Sequence, residues 1–145
     1  MTLDLSLELS GCMQTTYQMF YCLDESRYDH LVALFLPAGT LYRQGELLTG
    51  RDQIMQAMTK RSTTQRIRHV ISNLFIESQS LGLTHVVAYM TAYRFDDGTL
   101  HEGMVAISRP FRMSIVRALM TPIDNIWKIA AMTFTPEFEF ANDVS

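Results

Sequence analysis

The segment RIRHVISNLFIES, residues 66–78, places a titratable side chain among large apolar ones. Alternate residues of a β-strand share a face, so His69 and Asn73 lie on one face of this segment. The other residues of that face are large and apolar: Ile67, Ile71 and Phe75. An imidazole there can exchange a proton near neutral pH, and an amide can hold a polar atom of a ligand. The pattern indicates either acid–base chemistry or a core histidine that bonds a backbone carbonyl or Asn73, and the strand alone favours the core role.

Three predicted helices precede this strand in the chain and must position it. Apolar and aromatic residues recur at helical spacing from about Leu7 to Leu23, and again from Ser26 to Phe35, stopping before Pro37. Two short strands follow, GTLYRQ and ELLTG. Residues 50–62 then predict a third helix with Met58 on its inner face.

From residue 66 onward the apolar period changes to two, which predicts long strands. These strands are RIRHVISNLFIES, THVVAYMTAYRF, PFRMSIVRALM (with a start as early as Met104) and IWKIAAMTF. Asp97-Gly98 and residues 122–125 are turn signals between them. This order predicts an α+β fold in which the helices cover one face of a single curved sheet.

Composition excludes several classes of protein. A length of 145 residues with 48% apolar and 19% charged residues predicts one globular domain, residues 1–145. The net charge of −3 and the dispersed basic residues argue against nucleic-acid and membrane-surface partners. The longest apolar run, LVALFL, is far short of the ~20 residues of a membrane span. The start, MTLDLSLELS, lacks a basic region, so we expect a cytoplasmic protein.

The two cysteines show neither disulfide nor metal spacing. Cys12 and Cys22 fall in one predicted helix about 15 Å apart along its axis, too far for a bridge. The sequence also lacks a CxxC motif and the Cys/His spacing of zinc sites, so no metal site is expected.

The chain resembles the nuclear transport factor 2-like superfamily, and within it the SnoaL-like and scytalone-dehydratase-like branch. The resemblance covers roughly Met13 to Phe138 and is carried by YCLDESRYDHLVALFLPAGTLY, GELLTGRDQI, RIRHVISN and IDNIWKIAAMTF. It implies a cystatin-like, cone-shaped sheet, mixed or antiparallel, with three N-terminal helices that close an apolar cavity.

The resemblance also implies site residues. Asp24 matches an acid at the end of the first helix, Tyr42 a tyrosine on the first short strand, and His69 a histidine near the start of the first long strand. Two elements of the pattern are absent: Leu23 replaces a tyrosine before the acid, and a second histidine has no clear counterpart.

An Asp–His pair in an apolar cavity can act as an acid–base device without any cofactor. Asp24 would fix the tautomer of His69, which would remove a proton next to a carbonyl, while Tyr42 would hold the carbonyl oxygen. Dehydration, isomerisation and intramolecular aldol closure share that step. The alternatives are a helix-end acid for Asp24 and a packing residue for Tyr42.

Further residues are candidates for lining a ligand site. They are Tyr17, Tyr21, Asn73, Met58 and Tyr89, with core packing as the alternative for the aromatic and methionine side chains and a β-bulge as the alternative for Asn73. Arg117 could meet a substrate carboxylate or form an ion pair between subunits.

Two functions follow as hypotheses. The first is a cofactor-free lyase or isomerase acting on a small apolar cyclic carbonyl or hydroxyl compound. The second is a non-catalytic ligand-binding or assembly module of the same fold, similar to the small subunits of aromatic-ring dioxygenases. A homodimer is expected from the apolar outer face of the sheet.

Overall fold

In the computed structural model, which describes residues 5–141, the chain forms three helices and six strands. The helices are α1 Leu5–Asp24, α2 Tyr28–Ala33 and α3 Gly50–Thr59. The strands are β1 Phe35–Arg43, β2 Glu46–Thr49, β3 Arg66–Ser80, β4 Leu83–Phe95, β5 Arg112–Ile123 and β6 Ile126–Glu139. They form one curved, unclosed sheet in the order β2-β1-β6-β5-β4-β3, in which β1 and β6 are parallel and all other neighbours antiparallel. The predicted α+β fold with a mixed sheet is confirmed.

Three hairpins are closed by two-residue turns with positive φ at both positions. The turn residues are Gln44-Gly45, Leu81-Gly82 and Asp124-Asn125. This is the turn geometry that matches the twist of paired strands, so it sets the register of β1–β2, β3–β4 and β5–β6.

The connection from β4 to β5 is a long loop rather than a hairpin. Residues 96–111 contain no helix or strand, so the start of β5 at Met104 was wrong; Met104 is fully exposed. Asp96 accepts hydrogen bonds from Ser62 (2.6 Å) and Thr64 (2.7 Å), which hold the start of this loop against the segment before β3. These contacts replace the hairpin that Asp97-Gly98 suggested.

The inner face of α1 differs from the predicted one. The helix buries Cys12, Thr15, Thr16, Met19, Phe20 and Leu23, whereas Tyr17 and Tyr21 are exposed. Threonine can be buried here because its hydroxyl finds a carbonyl: Thr16 donates to Cys12 (2.7 Å) and Thr15 to Trp127 (2.6 Å). The two tyrosines that were expected to line the ligand site therefore lie on the solvent face of α1, whereas Phe20 lies on its buried face.

A bulge divides β3 into two parts with opposite facing. Asn73 has a φ of +56°, and the register with β4 shifts between Ser72 and Phe75. An extra residue reverses the alternation, so Leu74 packs against the core while Asn73 and Phe75 are exposed. The prediction of which β3 residues share the inner face is thus correct as far as Ile71 and wrong beyond it.

Candidate functional site

The carboxylate of Asp24 contacts His69 twice. Its Oδ1 lies 2.5 Å from Nδ1 of the ring, and its Oδ2 accepts a hydrogen bond from the backbone N–H of His69 at 2.9 Å. The two side chains are only 7% and 8% exposed. Because β3 is an edge strand, its outward N–H groups have no neighbouring strand, and Asp24 satisfies one of them. Asp24 therefore holds both the ring and the strand that carries it.

Local sequence alone does not favour an acid at this position. Asp24 is the last residue of α1, where the helix dipole disfavours negative charge, so the two donors of His69 supply the compensation. Phe20 packs beside the imidazole, with ring centroids 5.4 Å apart. Next to the pair, Glu25 and Arg68 form an exposed salt bridge (2.9 Å) that contributes little by itself. Together these contacts join the end of α1 to β3.

The hydrogen bond with Asp24 also determines which ring nitrogen of a neutral His69 is protonated. An ionised carboxylate only accepts hydrogen bonds, so Nδ1 must be the protonated nitrogen. The other nitrogen, Nε2, then has a free lone pair, and within residues 5–141 it has no hydrogen-bond partner. Since His69 lines a pocket, Nε2 is available to a molecule bound there.

The pocket has a volume of about 540 Å³, within the range of about 300–1,000 Å³ for small-molecule sites. Its apolar wall comes from α1, α3 and four strands and includes Met19, Leu41, Met58, Met90 and Phe134. Ser114 on β5 adds a buried hydroxyl to this wall. Met58 thus lies where the sequence predicted it.

The lining is more polar than the resemblance implied. Four arginines contribute to it, Arg43, Arg61, Arg94 and Arg112, and none of its lining residues within the described chain is an aspartate or glutamate. Arg61 donates to the carbonyl of Leu23 at 2.7 Å, which places it beside the Asp24–His69 pair. The pocket therefore combines a possible base, an apolar wall and excess positive charge.

Comparison with known proteins identifies the family of this chain. A family model described as a SnoaL-like domain matches residues 7–133. The chain belongs to the SnoaL-like family. A comparison with the curated proteins gave no match.

Solved structures similar to this SnoaL-like chain share its fold. A candidate scytalone dehydratase from Novosphingobium aromaticivorans has a TM-score of 0.76 at 18% identity, covering 95% of this chain and 89% of that one. A protein of unknown function with a cystatin-like fold from Nostoc punctiforme has a TM-score of 0.75 at 18% identity, covering 94% and 96%. ActVI-ORFA from Streptomyces coelicolor has a TM-score of 0.75 at 12% identity, covering 88% and 96%. The expected resemblance is confirmed at the level of family and fold.

Six residues named from the sequence, including Arg117, lie away from the pocket of this SnoaL-like chain. Tyr42 is 42% exposed because Leu41 and Arg43, its neighbours along β1, are the residues that face inward. Tyr17 and Tyr21 lie on the outer side of α1. Asn73 and Tyr89 line a separate shallow groove on the outer face of the sheet, together with Phe75 and Arg117. The structure brings together only Asp24, His69 and Met58 of the predicted set.

The strand paired with His69 offers no second titratable group at the matching position. Ala92 lies directly opposite His69, and Met90 is the next residue of β4 that faces the pocket. Within residues 5–141, no group of three or more His, Cys, Asp or Glu side chains is arranged to hold a metal ion. In that same part of the chain, no helix has the length and apolar character needed to cross a membrane.

Sequence reasoning missed the arginines of the pocket. Arg43 and Arg61 each border a turn or a helix end, where an arginine is normally solvated. A signal for Arg43 did exist: alternation from the apolar Leu41 places it on the inner face.

Proposed function

We propose that the chain is a cofactor-free lyase or isomerase that moves a proton on a small cyclic carbonyl or hydroxyl compound. The observation that carries the proposal is the double contact of Asp24 with His69 in the wall of a pocket of ligand size. A titratable group with an orienting partner in a partly apolar pocket is the usual arrangement of a general base. The structural likeness to a candidate dehydratase supports the same class of reaction.

The proposed reaction begins with His69. Nε2 removes a proton from the carbon next to a carbonyl, and the electrons of the C–H bond move to the carbonyl oxygen, giving an enolate and an imidazolium. Asp24 stabilises the imidazolium through the Nδ1–H bond. The imidazolium then returns the proton, either to a leaving hydroxyl, which departs as water, or to another carbon. The first outcome is a dehydration and the second an isomerisation.

The residue that meets the enolate oxygen is not Tyr42, because that side chain lies on the outer face of β1. Ser114 is the replacement we propose, since it lines the pocket, is only 2% exposed and makes no side-chain hydrogen bond to another described residue. A donor held in a site away from bulk water stabilises developing charge more than it would in water.

Exchange of hydrogen for deuterium tests this proposal without knowledge of the natural substrate. Tetralone and related cyclic ketones are incubated with the protein in heavy water, and deuterium at the α-carbon is followed by NMR. We expect exchange above the buffer rate, and a decrease of roughly 10²–10⁴-fold in His69→Ala, the usual contribution of a general base. His30→Ala, which changes an exposed histidine of α2, is the matched control and should keep full activity. Equal exchange by the parent and His69→Ala would refute the role of His69.

A second function is favoured by one observation. The position opposite His69 is Ala92, so the pocket has no partner acid on the neighbouring strand. A non-catalytic module that binds a ligand, or assembles with another protein as the small subunits of aromatic-ring dioxygenases do, would need no such group. This function predicts that ring compounds stabilise the protein against heat while none of them gains deuterium.

A further inference from the structure

Arg43 is an unpaired cation in the wall of the pocket. Its guanidinium makes no hydrogen bond or ion pair with any residue of 5–141, and its Nε is buried without an acceptor. A buried donor without a partner costs free energy, so the folded chain gains nothing from this side chain as it stands.

The surroundings of Arg43 add positive charge rather than remove it. Burial first, and the neighbouring charge of Arg61 second, lower the pKa of Arg43, while Glu46 acts in the opposite direction without forming an ion pair. The pKa of an arginine is so high that Arg43 stays protonated nevertheless. Two cations that act on each other thus line a pocket whose described lining residues include no carboxylate.

The other two arginines of the pocket already have partners. Arg94 donates to Gln65 (2.9 Å) and contacts Asp96 (3.4 Å), and Arg112 stacks on Phe111 with 4.8 Å from its Cζ to the ring centroid. Arg61 also has partners, but it donates with Nη1 to Leu23 and Tyr28, and its remaining donors are free to meet a ligand. Of these four arginines, Arg43 is the one without a hydrogen-bond, ion-pair or ring partner among the described residues, and Arg61 is the neighbouring cation whose charge acts on it.

We infer that Arg43 and Arg61 form a carboxylate subsite, so that the molecule bound in the pocket is a carboxylated cyclic compound rather than a purely apolar one. A carboxylate supplies the planar pair of acceptors that a guanidinium fork matches. Arg61 donates to the carbonyl of Leu23 at the end of α1, next to Asp24, so the proposed subsite and His69 belong to the same pocket. The inference shares its pocket with the proposed reaction, and it is tested by binding rather than by turnover.

Binding of a matched pair of ligands is the test. Tetralone carboxylate and its carboxamide are titrated into the parent protein, Arg43→Gln and Arg68→Gln, with NMR or calorimetric detection. Arg68 is the control because it is exposed and paired with Glu25 outside the pocket. Arg61 is a poorer target, since its loss would also release the carbonyl of Leu23.

We expect the parent to prefer the carboxylate by about tenfold or more, and Arg43→Gln to lose that preference while its affinity for the carboxamide is unchanged. Arg68→Gln should behave as the parent does. Equal binding of both ligands by the parent, binding of neither, or the same loss in Arg68→Gln would overturn the inference.

Stability without ligand distinguishes a binding role from a structural one. Removing an unpaired, partly buried cation beside another cation should leave the melting temperature of Arg43→Gln equal to or above that of the parent. A lower melting temperature would show that Arg43 supports the fold and would overturn the assignment. Exchange of neutral tetralone does not depend on this subsite, so a carboxylate preference without exchange would refute the reaction and leave the subsite standing.

Discussion

Replacing Asp24 by asparagine should move the proton of His69 from one ring nitrogen to the other. The native carboxylate accepts two hydrogen bonds, one from Nδ1–H and one from the backbone N–H of His69. Asparagine has the same shape but only one acceptor, and its other end is a donor. The backbone N–H cannot give up its hydrogen, so the amide oxygen must stay with it and the NH₂ group must face Nδ1. Nδ1 then becomes the acceptor, and the proton resides on Nε2.

The size of the effect follows from the bonds exchanged. A hydrogen bond to a charged group contributes about 1.5–3 kcal/mol and a neutral one about 0.5–1.5 kcal/mol, so each of the two bonds loses about 1–1.5 kcal/mol and Asp24→Asn should lower the free energy of unfolding by about 2–3 kcal/mol. Activity should fall for a separate reason, because the pocket would present an N–H instead of a lone pair. The corresponding change in a Ser–His–Asp triad lowers kcat by about 10⁴, and we expect a decrease of roughly 10²–10⁴ in deuterium exchange here.

NMR of nitrogen-labelled imidazole reports the tautomer directly, and urea unfolding reports the stability. Asp29→Asn is the matched control, because it makes the same chemical change at an exposed position of α2. The reasoning is refuted if Asp24→Asn keeps the proton on Nδ1, or if it shifts the proton and retains full exchange activity.

Three other predictions concern packing, thiol chemistry and assembly. Gly11→Ala would place a Cβ 2.1 Å from Cδ1 of Trp127, so unfolding in urea should show a loss of about 1–3 kcal/mol, with Ser10→Ala on the exposed side of α1 nearly neutral. Burial raises the pKa of Cys12 to about 12, so the thiol stays protonated and iodoacetamide at pH near 8 should label it only after unfolding; labelling of the native protein at the rate of a free thiol would contradict this. The exposed outer groove should mediate a homodimer, so light scattering should give a dimer for the parent and a smaller mass for Phe75→Asp, and a monomeric parent would exclude the interface.

The sequence predicts the fold well because most of its signals are local. The change of period at residue 66 and the order of helices and strands do not depend on distant contacts, whereas the parallel pairing of β1 with β6 does. The loop at 96–111 is a second exception. Its conformation depends on hydrogen bonds that Ser62 and Thr64, about 30 residues away in sequence, donate to Asp96, and a local turn signal contains no information about them.

The site was predictable only in part, for a related reason. Alternation along β3 correctly places His69 inward, but it fails from Asn73 onward, because a bulge between Ser72 and Phe75 reverses the facing and a second register shift follows between Ile76 and Ser78. On β1 the resemblance pointed to Tyr42 and nothing pointed to Arg43, whereas the strand turns Arg43 to the pocket and Tyr42 to solvent. The contact of Asp24 with His69 crosses 45 positions of sequence and came from the family resemblance, not from the pattern of residues.

A crystal structure of the protein with tetralone carboxylate would test the central claim most directly. Our account predicts the acidic α-carbon about 3–3.5 Å from Nε2 of His69, the separation of groups poised to react. It also predicts carboxylate oxygens about 2.7–2.9 Å from the guanidinium of Arg43. A ligand bound in this pocket with its carbonyl end away from His69, or bound only in the outer groove at Asn73 and Tyr89, would contradict the account.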